Sequence, residues 1–294
     1  MREIEVSIIL VHYKTLELTT NVIKSIYEKT KEVIFEIIVV DNASNDGSIE
    51  KIERKFKNQI KIIKNNKNVG FGRANNIGVK EAKGKYIFLL NTDTILINNA
   101  IKILFEFIEK NKKIAVVGGN LYTKDLNPAH SFSRKKLRIR DELINPIRIK
   151  IKNILGLKRE DFNYTSLPEK VEIITGADML IRKNIFLKIG GFDKEFFMYH
   201  EESELCNRIN NLGYEIYSIP EAKIIHLEGK SSIFKEKQFK NSRFGKYLYF
   251  YKINKKNKLK WIYFFSQIKY IMMFNLSKYK INKNVYKEFC NKFL

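Results

Sequence analysis

Residues 5–48 read EVSIILVHYKTLELTTNVIKSIYEKTKEVIFEIIVVDNASNDGS, and this stretch decides the fold. EVSIILVHY is a continuous apolar run, the pattern of a strand covered on both faces. LELTTNVIKSIYEKT then repeats apolar residues at helical spacing, and FEIIVVD is a second buried strand that ends in Asp41. Two doubly covered strands joined by a helix make a βαβ unit, the building block of a parallel sheet.

The rhythm continues outward. NDGSIEKIERKF opens with turn residues, Asn45 or Asp46 serving as N-cap, and then turns helical. IKIIKN is a third strand, and GFGRANNIGVKEAKG is a glycine-punctuated turn leading into a helix. KYIFLLNTD is a fourth strand that again ends in a carboxylate, Asp93. A helix, NNAIKILFEFIEKN, and a strand, KIAVVGG, follow. The expected fold class is α/β, a mostly parallel central sheet flanked by helices. Binding sites in such sheets lie at the carboxyl ends of strands, where Asp41 and Asp93 both fall. Over 121–170 the alternation lapses, and RKKLRIRDELINPIRIKIKN reads as a basic loop plus helix. It resumes over 171–233.

The 294 residues hold 55 Lys and Arg against 32 Asp and Glu, a formal charge of +23. A charge of that size speaks to partners rather than to fold, and makes nucleic acid, anionic lipid and phosphorylated substrates candidates. Cys206 and Cys290 are too few for a disulfide framework and lack metal spacing. MREIEVSIILVHY has no signal-peptide pattern, and the expectation is a cytoplasmic protein. No run reaches the roughly 18 uncharged apolar residues of a spanning helix; WIYFFSQIKYIMMFNLS, 261–277, is interrupted by Lys269.

Several residues can carry chemistry. A carboxylate at Asp41 can accept the ring N3–H of uracil or thymine, or it can close an Asx-turn. Asn91 and Asp93 at a strand end can reach a ribose and a hard cation, or they can form a turn. In NVGFGRANNIGV, 68–79, the glycine spacing departs from the phosphate-loop pattern, so Gly70 and Gly72 read as a tight turn against a nucleotide, with Asn76 facing the same cleft. His226 can ligate a metal as neutral imidazole or be structural. In HEESELCNRINNL, 200–212, read as a helix ended by Gly213, the apolar stripe is Leu205, Ile209 and Leu212. Glu202 falls on that stripe, three residues before Leu205, whereas Glu201 and Glu204 share a neighbouring face and Glu204 can pair with Arg208. An acid partly removed from water has a raised pKa, as a general base requires.

Seven segments in order, SIILVHYKT, IVVDNASNDGS, NVGFGRANNIGV, LLNTDT, TGADMLIRKNIF, GGFDKEFFMYHEESELCNRINNLGY and HLEGKSS, resemble glycosyltransferase family 2, on the GT-A fold, in its rhamnosyltransferase-like group. The resemblance covers about residues 4–232. It implies that Val11, Tyr13, Asp41 and Asn76 contact the nucleotide, and that Asn91 and Asp93 fill the D-x-D slot with Asp93 on a divalent metal, Mg²⁺ or Mn²⁺. It further implies that Gly176 and Ala177 line the sugar and acceptor pocket, that His226 contacts metal or pyrophosphate, and that Glu202 is the catalytic base, with Glu201 as the alternative. The sequence departs from the pattern at Lys14, where asparagine is usual, at Asn91, where an acid is usual, and at Glu202, where aspartate is usual. The reaction implied is an inverting transfer from a nucleotide-diphosphate sugar, such as dTDP-rhamnose or a UDP-sugar, to a glycan or lipid-linked acceptor. The alternatives are a catalytically inactive sugar-nucleotide binder and a basic nucleic-acid-binding protein, although acids at strand ends repel phosphate backbones.

Residues 1–233 thus form the expected catalytic domain and 234–294 a basic, aromatic tail. The tail holds 16 Lys and Arg against two acids, Glu236 and Glu288, a net 16 − 2 = +14. Its interleaved lysines and aromatics fit contact with the cytoplasmic face of a membrane, helices packed on the catalytic domain, or nucleic-acid binding.

Overall fold

The structure, a computed structural model, describes residues 3–142, 144, 148, 154–227, 235–254 and 259–294. The opening βαβ unit forms as expected: β1 Val6–His12, α1 Leu16–Lys29, β2 Phe35–Asp41. α2 Ser48–Phe56, β3 Lys61–Lys64, α3 Phe71–Lys80, β4 Tyr86–Leu90, β5 Thr94–Leu96, α4 Ala100–Glu109 and β6 Ile114–Tyr122 follow. After the short strands β7 Phe132–Ser133, β8 Glu169–Val171 and β9 Ile173–Ile174 come β10 Asp178–Arg182, α5 Lys183–Lys188, α6 Glu201–Asn211 and β11 Glu215–His226. The basic helix expected within 134–153 falls largely on residues outside those described.

The main sheet runs β3-β2-β1-β4-β10-β6-β11-β5, with β8 also paired to β11. β3, β2, β1 and β4 are parallel, whereas β10 enters antiparallel between β4 and β6. Alternation along the strands divides the core into two layers. Ile8 and Leu10 pack with α1, α2 and α4 on one face. Ile9, Ile38 and Val40 pack with α3, α5 and α6 on the other.

The tail folds into three helices, α7 Lys235–Asn254, α8 Leu259–Met272 and α9 Leu276–Phe293. It packs onto the α/β body: Tyr247, Leu248, Tyr249 and Phe250 bury with Phe196 in a third core. Buried Glu142 accepts hydrogen bonds from Arg243 at 2.6 Å, Lys246 at 2.9 Å and Lys269 at 2.8 Å. Lys252 pairs with Asp193 at 2.8 Å and with Glu195. Part of the tail's charge is therefore spent on packing against the body.

Candidate functional site

A cleft of about 500 Å³ opens over the carboxyl ends of β1 and β4 and the amino end of β10. Its walls hold Val11, Tyr13, Asn91, Asp93, Gly176, Ala177, Glu201, Glu202 and His226, so most residues singled out from the sequence converge there.

The floor is the turn after β4. The Asn91 N–H donates to the Ala177 carbonyl at 3.0 Å, and the Asn91 carbonyl accepts from the Thr94 hydroxyl at 2.7 Å. The turn chemistry and the cleft position thus coexist: hydrogen bonds to the backbone fix the turn and hold Asp93 at the cleft. Pairing of β11 with β5 sets His226 opposite Thr94, and His226 Nε2 lies 3.4 Å from Asp93 Oδ1. Among the described residues no group of three or more His, Cys, Asp or Glu side chains is arranged to hold a metal. The pair still fits Mg²⁺ or Mn²⁺, which accept a carboxylate oxygen and an imidazole and fill their remaining positions with water and substrate phosphate oxygens.

The acidic wall is the first turn of α6. His200 precedes it with φ 70°, and burial lowers its imidazole to about 3. Glu201 and Glu202 both line the cleft, but the expected order is reversed: Glu201 is 3 % exposed, and Glu202 is half-buried. Glu201 faces α3, where a Cβ on Gly72 would stand 3.7 Å from Glu201 Cβ, whereas Glu202 faces the loop before β10, where a Cβ on Gly176 would stand 3.8 Å from Glu202 Cβ. Burial, reinforced by the neighbouring Glu202, pushes the Glu201 carboxyl well above the ordinary range, and among the described residues its Oε2 has no hydrogen-bond partner. Burial also raises Glu202, whose Oε1 accepts from the Ser203 hydroxyl at 3.0 Å. The expected Glu204–Arg208 pair forms with two contacts of 2.7 Å, which is why Glu204 tolerates burial. Leu212 leaves the expected stripe, since the helix ends at Asn211, and is 53 % exposed.

Two expected nucleotide contacts sit elsewhere. Asp41 does not line the cleft; its carboxylate accepts from the Ser44 N–H at 3.2 Å and hydroxyl at 2.5 Å, closing a turn three residues on rather than the two of an Asx-turn, and Asn42 takes the cleft position. Asn76 does not line it either. Its amide donates to the Phe192 carbonyl at 2.8 Å and accepts from the Phe192 N–H at 3.0 Å, so it fastens the loop before α6. The N-cap of α2 is Gly47 rather than Asn45 or Asp46, while Asp46 accepts from the Ser48 N–H at 3.1 Å. Gly70 does line the cleft, with φ 89°, but the group pressed against it is the Phe197 carbonyl, 2.2 Å from where a Cβ would sit.

Sequence reasoning missed other walls. Asn68, Phe71, Thr92, His130 and Tyr199 line the cleft, and so do Gln238 and Ser242 from α7. The tail therefore contributes to the site, a tertiary fact with no local signal. Buried His12 was also missed. Its nitrogens stand 2.8 Å from the Thr19 hydroxyl and 2.7 Å from that of Ser48, bracing the end of β1 beneath Tyr13. Gly229, Ser231 and Ser232, which carried part of the resemblance, lie outside the described residues.

Residues 7–190 match the family model "Glycosyl transferase family 2". Over 171 residues the chain is 28 % identical to the rhamnosyltransferase WbbL of Escherichia coli K12, covering 53 % of this chain and 60 % of that protein. Over 215 residues it is 26 % identical to the dTDP-rhamnosyl transferase RfbF of Shigella flexneri, covering 72 % of this chain and 66 % of that protein. The chain thus spans less than two thirds of either relative's length. The mannosyltransferase PcManGT of Pyrobaculum calidifontis, solved with GDP-Man and Mn²⁺, superposes with a TM-score of 0.59 at 15 % identity, covering 97 % of this chain and 74 % of that one. This likeness establishes the fold as GT-A.

Proposed function

The chain belongs to glycosyl transferase family 2 and is similar to rhamnosyltransferases, and from that premise we propose that it transfers a sugar, with inversion, from a nucleotide-diphosphate donor to a hydroxyl of a glycan or lipid-linked acceptor. dTDP-rhamnose is the first donor to test, and a UDP-sugar the second. The observation that carries this reading is the convergence in one cleft of the Asp93–His226 pair with the Glu201–Glu202 carboxyls.

The assigned roles follow from chemistry. Tyr13, 39 % exposed at the mouth of the cleft, offers a ring face to the nucleotide base, beside Val11. Asp41 acts through Ser44, and Asn76 through Phe192, as positioning residues. Asp93 and His226 would hold a divalent metal, which when bound neutralises charge on the diphosphate. Gly176 and Ala177 leave room for the sugar against Glu202. The acceptor oxygen bonds to the anomeric carbon as the bond from that carbon to the diphosphate oxygen breaks. Glu202 takes the acceptor's proton, and the nucleoside diphosphate leaves.

A panel of nucleotide sugars, with and without Mn²⁺, tests the reading through release of nucleoside diphosphate. Metal-dependent release from at least one donor, accelerated by an acceptor, is expected. Specific donor binding with no turnover on any acceptor or on water would favour an inactive binder.

A further inference from the structure

Helix α8 is apolar on both sides. Leu259, Ile262, Ser266 and Tyr270 face inward and are buried. At 3.6 residues per turn, Trp261, Phe264, Phe265, Ile268, Ile271 and Met272 occupy one outward arc of about 120°. Trp261, Phe264, Ile271 and Met272 are exposed. The stripe runs on into the turn before α9, where Met273 and Leu276 are exposed and Phe274 is 94 % exposed.

That turn is built. Its backbone N–H groups donate from Met273 to Lys269 O at 3.0 Å, from Phe274 to Ile271 O at 2.9 Å and from Asn275 to Tyr270 O at 2.9 Å. Phe274 is held at φ 50°, where a glycine or asparagine would be less strained. A rigid hairpin tip thus presents Met, Phe and Leu to the outside. The chain has no Asp or Glu between Glu236 and Glu288. Lys260, Lys278, Lys280 and Lys283 flank the patch in sequence and are exposed.

We propose that this face docks the protein on an anionic phospholipid bilayer. Trp261, Phe264, Met273 and Phe274 would enter the boundary between headgroups and acyl chains, with the lysines at the headgroups. The charge complements an anionic surface. Ile271, Met272, Met273 and Leu276 supply no stacking face for bases, and this favours lipid over nucleic acid. Among the described residues no helix is long and apolar enough to cross a membrane, and the geometry is that of a helix pair lying on the surface. Because Gln238 and Ser242 of the same tail line the cleft, docking would bring the cleft to the interface where a lipid-linked acceptor resides. That last step rests on the transferase reading; the docking itself does not.

Trp261 is the chain's single tryptophan, so its emission reports on the patch directly. With phosphatidylglycerol vesicles at low ionic strength, a blue shift and quenching by brominated lipid are expected, weaker in high salt and weaker still with phosphatidylcholine. Met273→Ser/Phe274→Ser should lower partitioning about tenfold or more, with thermal melting and donor turnover unchanged. The docking is overturned by an unshifted Trp261 emission at low salt, by equal partitioning of the variant, or by equal binding to phosphatidylcholine. A shift with a single-stranded oligonucleotide but not with vesicles overturns it in favour of nucleic acid. A dimer in solution that Phe274→Ser dissociates, without vesicle binding, overturns it in favour of a second copy of the chain.

Discussion

His226 Nε2 lies 3.4 Å from Asp93 Oδ1, held there by pairing of β11 with β5 and by the Leu227 N–H donating to the Asp93 carbonyl at 2.8 Å. The two donor atoms are placed by the strand pairing and the turn beside it, so little ordering would remain for the proposed cation and diphosphate to bring about. Asp93→Ala should lower the Mn²⁺-dependent affinity for a nucleoside diphosphate by about tenfold or more, leaving the affinity in EDTA unchanged. Calorimetric titration measures both, and an unaltered Mn²⁺ increment would remove Asp93 from the metal.

Glu202→Gln keeps the shape of the side chain but cannot take a proton. Turnover should fall by about 10²–10⁴-fold, with donor affinity intact. Glu201→Gln should fall less, because Glu201 is the more deeply buried of the two and Glu202 is the proposed base. If Glu201→Gln were the more damaging change, the base would be Glu201.

The pH dependence of the pair has a definite sign. Both carboxyls are raised above the ordinary glutamate value, chiefly by burial. The base works only when ionised, so kcat/KM should rise along a limb lying above the usual carboxylate range. Stability runs the other way: an acid whose folded pKa exceeds its unfolded one destabilises progressively as pH rises from the unfolded value through the folded one. Glu201, raised further by an ionised Glu202, takes up its own charge only after Glu202 has done so. Glu201→Gln should therefore leave the activity limb in place and, by removing a buried carboxyl, raise Tm at neutral pH by a few degrees. A limb that moved to lower pH in Glu201→Gln would show that Glu201 ionises first.

The βαβ rhythm was readable because doubly covered strands advertise themselves as unbroken apolar runs, as in Ile8, Ile9 and Leu10. Helical spacing likewise found the Glu204–Arg208 pair. It misjudged Glu201, because which face of a first turn is buried depends on what packs there, here Gly72 of α3. Asp41 and Asn76 were placed in the cleft by their strand-end and loop positions, yet local partners, Ser44 and Phe192, claim their polar atoms. Gln238 and Ser242 were invisible for the opposite reason, since only tertiary packing of α7 brings them to the cleft.

Gly70→Ala tests the junction between α3 and the acidic wall. Alanine resists φ 89°, and its Cβ would meet the Phe197 carbonyl at 2.2 Å. The backbone cost alone is about 1–3 kcal/mol, and relief of the clash must displace the loop carrying Tyr199 and Glu201. Reduced thermal stability and weakened turnover together are expected. A variant with wild-type Tm and turnover would mean that the loop yields freely.

The buried cluster around Glu142 makes the tail's attachment dependent on acid. Removing this carboxylate leaves Arg243 buried at 3 % exposure, with Lys246 and Lys269 beside it and no anion between them. Glu142→Gln should cost about 3–5 kcal/mol, as breaking one side of a buried ion pair does. The three cations hold the Glu142 carboxyl far below its ordinary value, outweighing the upward push of burial. Its contribution is therefore present above the unfolded glutamate value and is lost as pH falls below it. Thermal denaturation between about pH 5 and about pH 2, followed by Trp261 fluorescence, should show a steep loss in the wild-type protein and a flatter profile in Glu142→Gln. Replacing Glu142 and Arg243 together with Leu and Met should recover part of the loss, because the uncompensated charge, rather than the missing contact, is the larger cost. A double variant no more stable than Glu142→Gln would refute that division.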